Sequence, residues 1–135
     1  MEKEFVAYEL AVKLKELGFD EGCFGYYEPN KNLNYIEKHI LKDFPYLAKN
    51  SEWQDLCAAP TYSQSFRWFR EKNIYATINT YHSVNEDKPF GLSIDYLHES
   101  GKWDYFDYSG ESDFETYEEA ELACLEKLIE LVESK

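Results

Sequence analysis

The sequence holds no apolar run near the roughly 20 residues that a membrane-spanning helix requires. Its opening, MEKEFVAYELAVKLKEL, alternates charged with apolar residues where a signal peptide would be uninterrupted, so a soluble cytoplasmic protein is expected. Cysteine is scarce. Cys23, Cys57 and Cys124 are odd in number, lack any C-x-x-C pairing and have no histidine placed to complete a zinc pattern, which argues against a disulfide framework or a zinc finger. The three histidines, His39, His82 and His98, sit in no recognisable motif. There is no phosphate-cradling glycine loop, no G-x-S-x-G and no H-E-x-x-H. Positive charge is also in deficit: 14 Lys and Arg face 27 Asp and Glu, a net charge of -13. Such a chain does not bind a nucleic-acid backbone by neutralising phosphates, and an anionic membrane repels it.

With only 6 Gly and 4 Pro among 135 residues, the chain is not a linker, and its 44% hydrophobic and 18% aromatic content is that of a globular protein. Its length corresponds to one domain spanning residues 1–135 with room for a real core. The acidity is uneven. Residues 1–73 carry 10 basic and 12 acidic groups, net -2, whereas residues 74–135 carry 4 and 15, net -11. From Glu99 to Glu121 nine carboxylates face the single Lys102, which makes a strongly negative local field.

Val6, Leu10, Leu14 and Leu17 recur at i, i+4, i+8 and i+11, with Phe5, Tyr8 and Val12 widening the stripe, and this predicts a helix over 4–17. Gly18 is placed to cap it, with Phe19 supplying the apolar contact behind. CFGYY, residues 23–27, reads as a short strand, and EPNKN after it as an exposed loop. Between 33 and 57 the pattern is weak: Ile36, Ile40 and Leu41 give one helical stretch, while 43–45 and 49–51 read as loop. TYSQ at Thr61 is a capping box that opens a helix over 61–72, with Tyr62, Phe66 and Phe69 on its apolar face. Runs at 74–82, 90–97 and 103–109 form a meander; the last, WDYFDY, slips phase between Tyr105 and Phe106, so a bulge or two aromatic faces is expected. A second capping box, Thr116 with Glu119, opens a helix over 116–133 carrying Tyr117, Ala120, Cys124, Leu128 and Leu131 at helical spacing. In that setting Cys124 reads as a small buried hydrophobe. The fold class expected is α+β: a small antiparallel meander of three or more strands with about three helices packed mainly on one face.

The segments CAAPTYSQSFRWFREK (57–72) and TYEEAELACLEKLIELVE (116–133), with the opening AYELAVKLKELGFDEGCFGYY, resemble a widespread group of small uncharacterised proteins of bacterial genomes and their phages. The resemblance implies a setting, accessory to a mobile element, and brings no activity and no catalytic residue. The order helix, three strands, helix over 61–133 is similar to that of double-stranded-RNA-binding domains. Those domains grip phosphate with a basic start to the last helix, and here that position reads TYEEAE, so no direct nucleic-acid binding is expected.

Two groups stand out as candidate binding residues. Asp104, Asp107, Glu111, Asp113 and Glu115 carry oxygen ligands, but the spacing D-x-x-D-x-x-x-E-x-D-x-E departs from an EF-hand loop and lacks its central glycine; no metal and no cofactor is expected. The cluster is either a solvated face that keeps the protein soluble or, interleaved with Trp103, Tyr105, Phe106 and Tyr108, a surface for a protein partner with a basic surface. The second group is Trp68 flanked by Arg67 and Arg70, read as an exposed patch of the kind enriched in interfaces. The function expected is that of a non-enzymatic acidic interaction protein, an accessory or inhibitor protein of a mobile element. A small enzyme with an unrecognised His/carboxylate site is the alternative.

Overall fold

Backbone hydrogen bonds decide where the first helix begins. Phe5 forms a strand bridge with Thr61, and Val6 N–H donates to the Pro60 carbonyl at 2.9 Å, so residues 5 and 6 are committed to pairing and cannot join a helix. In the computed structural model, which describes residues 2–35, 47–52, 55–80, 88–107 and 114–134, helix α1 therefore runs Tyr8–Glu16 and residues 2–4 form a separate 3-10 turn. Its end follows the expectation. Gly18 takes φ +98°, its N–H donating to Lys15 O while Phe19 N–H reaches back to Leu14 O, the paired bonds of a Schellman cap. Phe19 is fully buried behind it.

The chain divides into two compact units, residues 1–65 and 66–135. In the first, β1 (Gly25–Tyr27) is the central strand of a three-stranded antiparallel sheet between β2 (Leu33–Tyr35) and β3 (Cys57–Ala59). The central strand lies within the strand expected at 23–27, and the two flanking strands are additions to that reading. Each flanking strand is only three residues long, too short to show a period. Part of EPNKN is the hairpin turn joining β1 to β2, closed by Lys31 N–H to Glu28 O at 2.8 Å. The helical stretch at 36–41 lies outside the described residues. Gly25 is required by packing: a Cβ there would stand 2.7 Å from the Phe5 ring, which lies over the strand and stacks on Tyr35 at 5.7 Å. Helix α1 packs on β3 and covers this sheet.

Helix α2 (Tyr62–Arg70) opens with the expected box: Gln64 N–H donates to Thr61 Oγ1 at 3.2 Å and Thr61 N–H to Gln64 Oε1 at 3.1 Å. The division between the units falls inside this helix. In the second unit β4 (Ile74–Thr80), β5 (Phe90–Leu97) and β6 (Trp103–Asp107) form the expected antiparallel meander. The pairing of β5 with β6 is continuous from Leu97↔Trp103 to Ser93↔Asp107, so the phase slip in WDYFDY makes no bulge. The ladder stays regular through it, with Tyr105 opposite Asp95 and residue 106 opposite Ile94. Helix α3 (Tyr117–Glu133) is capped by Thr116 Oγ1, which accepts from Glu119 N–H at 3.1 Å, and it packs on β4 and β5. Ala120, Cys124, Leu125, Leu128 and Ile129 are buried along it, above Ile74, Leu92 and Ile94 of the sheet. No described helix is long and apolar enough to cross a membrane.

Candidate functional site

Strand alternation sends successive side chains to opposite faces, and the meander's register sorts its residues accordingly. One face carries Ile74, Leu92 and Ile94, all buried under α3. The other carries the rows Tyr75–Asp95–Tyr105, Thr77–Ser93–Asp107 and, beyond Leu97, Trp103. This outer face stays open. Trp103 is 58% exposed, Tyr105 67% and Tyr75 40%, and Asp95 between the two tyrosines is exposed as well. The Tyr75 and Trp103 rings meet across β5 with centroids 5.8 Å apart, tilted by 44°. Beside them Asn79 Nδ2 donates to Ser93 Oγ at 3.0 Å. Three large aromatics at this exposure are costly to leave in water, at roughly 25 cal/mol per Å² of apolar surface.

Of the acidic cluster expected from the sequence, Asp104 stands opposite Tyr96 and accepts a hydrogen bond from its hydroxyl at 3.1 Å. Trp103 and Tyr105 therefore share a face with Asp95 and not with Asp104. Glu115 is exposed just ahead of α3, and Glu111 and Asp113 lie outside the described residues. Burial raises the hydroxyl pKa of Tyr117, on the first turn of α3, and the nearby charges of Glu121 and Glu118 raise it further. Among the described residues no group of three or more His, Cys, Asp or Glu is arranged to hold a metal ion.

The Trp68 patch is corrected. Arg67 and Arg70 are exposed, but Trp68 is only 8% exposed, packed edge-on to Phe69 at 5.0 Å with the Lys72 ammonium 4.5 Å from its ring centroid. On a helix, residue 68 follows the buried Ser65 by one turn, so the apolar face runs Ser65, Trp68, Phe69 and leaves Tyr62 and Phe66 half-buried at its margin. The small Ser65 disguised that stripe in the sequence. Tyr75 and Asp95 were the residues missed. Alternation in YATINT and in FGLSIDYL places them on the outward side, but only the pairing register puts them next to Tyr105.

The first unit holds a cavity of about 210 Å³ lined by Tyr8, Lys15, Tyr27, Glu28, Asp55 and Cys57 among others. Its polar groups hold backbone: Lys15 Nζ donates to Leu56 O at 3.0 Å and Tyr27 Oη to Val6 O at 2.6 Å. Burial also pushes the Cys57 thiol up, which the nearby Lys15 only partly opposes. His98 is exposed in the turn after β5, and His39 and His82 lie outside the described residues.

All three thiols are free and buried, and desolvation pushes Cys23 and Cys124 up to about 12, with Glu21 and Glu121 adding to it. The thiolate is the reactive form, so titration of the native protein with a thiol reagent at pH 8 is expected to leave both unmodified, and all three to react once the chain is unfolded. The fold favours the neutral thiol. Its contribution to stability is therefore complete below the ordinary thiol value near 9 and is lost as pH rises from there through about 12. Rapid labelling of native Cys124 at pH 8 would show that α3 does not bury this face against the sheet.

Comparison with known proteins finds no match to a family model, to a curated protein or to a solved structure.

Proposed function

We propose that this chain is a non-enzymatic acidic interaction protein that binds a protein partner with a basic surface, as an accessory or inhibitor protein of a mobile element. The observation that carries the binding role is the open outer face of the meander, where Tyr75, Trp103 and Tyr105 stand exposed around Asp95. Aromatic side chains dominate the energetics of protein interfaces because they bury a large area with few rotatable bonds. The surrounding half of the chain, net -11, supplies the long-range attraction. The mobile-element setting is carried by the resemblance of 57–72 and 116–133 alone.

The test uses partners captured from lysate of the source cells, identified, purified and measured against the wild type and a Trp103→Ala/Tyr105→Ala variant. Each aromatic truncation is expected to weaken binding by at least about fivefold, roughly 1 kcal/mol, while stability stays within about 0.5 kcal/mol because both residues are exposed. The association rate should fall as ionic strength rises from about 0.01 to about 0.1 M, where the screening length shrinks from about 30 to about 10 Å. A partner bound equally well by the double variant, or at a rate indifferent to salt, contradicts the proposal.

A further inference from the structure

Resting on that interaction reading, we propose that the outer face of the meander is an arginine-binding patch, in which Asp95 pairs with a guanidinium held against the rings of Tyr75, Tyr105 and Trp103. The register sets a carboxylate midway between two tyrosines, Tyr75↔Asp95↔Tyr105, on three adjacent strands. Strands lie about 4.8 Å apart, so the two tyrosine positions are separated by roughly 10 Å. A guanidinium laid with its plane against one of these rings, a contact of about 3.5 to 4 Å, turns its edge toward Asp95.

The other residues of the face complete the chemistry. Trp103, its ring 5.8 Å from that of Tyr75, closes one end of the row, and the half-buried Leu97 beside it offers apolar surface to the methylene stem of an arginine. Among the described residues, no register position on this face from Tyr75 to Asn79, Gly91 to Leu97 or Trp103 to Tyr105 carries a basic residue. Arginine is favoured over lysine because the guanidinium is planar, weakly hydrated and forked. It can stack on a ring and donate two parallel hydrogen bonds to one carboxylate, whereas an ammonium does neither.

The experiment titrates the 15N-labelled protein at low salt with three short peptides of one sequence, carrying a central arginine, lysine or citrulline. The arginine peptide is expected to shift the Trp103 indole N–H and the Tyr105 amide saturably, with a Kd at least about fivefold below that of the lysine peptide. Citrulline, which keeps the shape and loses the charge, should give no saturable shift. Asp95→Asn, at an exposed position, should keep the fold by circular dichroism and erase the preference for arginine over citrulline. Equal affinity for arginine and lysine peptides overturns the arginine assignment while leaving a basic partner in place. Absence of any saturable shift with all three overturns both readings. The same shifts arising from raised protein concentration alone would mark the face as a contact between two copies and overturn the arginine patch.

Discussion

Asn50→Ala is expected to destabilise the first unit by about 2 to 5 kcal/mol, although the residue carries no charge and belongs to no helix or strand. Asn50 is 9% exposed, and its amide is a two-way tie: Nδ2 donates to Phe19 O at 2.7 Å and Oδ1 accepts from Ala58 N–H at 2.9 Å. One bond holds the chain just after the cap of α1, the other holds β3, the strand on which α1 packs. Truncation leaves two backbone groups in a dry interior without partners, at about 1 to 3 kcal/mol each. Asn50→Asp separates the two bonds, since a carboxylate still accepts from Ala58 but cannot donate to Phe19. Denaturant unfolding gives the total loss, and amide exchange at Ala58 gives the local one. Exchange at Ala58 should accelerate in the alanine variant and stay slow in the aspartate variant. If exchange is unchanged in both, Asn50 does not hold the strand.

Leu128→Ala in α3 is expected to cost about 2 to 5 kcal/mol in the second unit, the range for a fully buried leucine whose cavity does not collapse. Leu128 has no exposed surface and lies among Cys124, Leu125 and Ile129, the residues that press the helix onto β4 and β5. Most of α3's stability comes from that packing, because an isolated helix of this length is marginal in water. The conservative Leu128→Met should cost under about 1.5 kcal/mol, as volume-conserving core exchanges do. A loss below about 0.5 kcal/mol for the alanine variant would show that the helix is not docked through this face.

The helices, their caps and the meander were legible in the sequence because each is written in local chemistry. Thr61 with Gln64, Thr116 with Glu119, and Gly18 with Phe19 are contacts within five residues, and the alternation in FGLSIDYL repeats every two. The candidate site was half legible. Trp103 and Tyr105 stand out in the sequence, interleaved with the carboxylates from Asp104 to Glu115, but Asp95, which the register sets beside Tyr105, does not. In the first sheet β1 was legible in CFGYY, whereas the three-residue strands β2 and β3 are shorter than any period they could display.

By itself the sequence determined the element types, the acidic second half and the burial of Cys124, all properties of composition or of spacing along the chain. Tertiary structure alone decided which face of β4 and β5 meets α3, that Asp95 sits between Tyr75 and Tyr105, and that Trp68 belongs inside. The place of Asp95 depends on strand pairing across the sequence, with Tyr75 20 residues away and Tyr105 10. A shift of the register by one residue would exchange the two faces while leaving every local pattern intact.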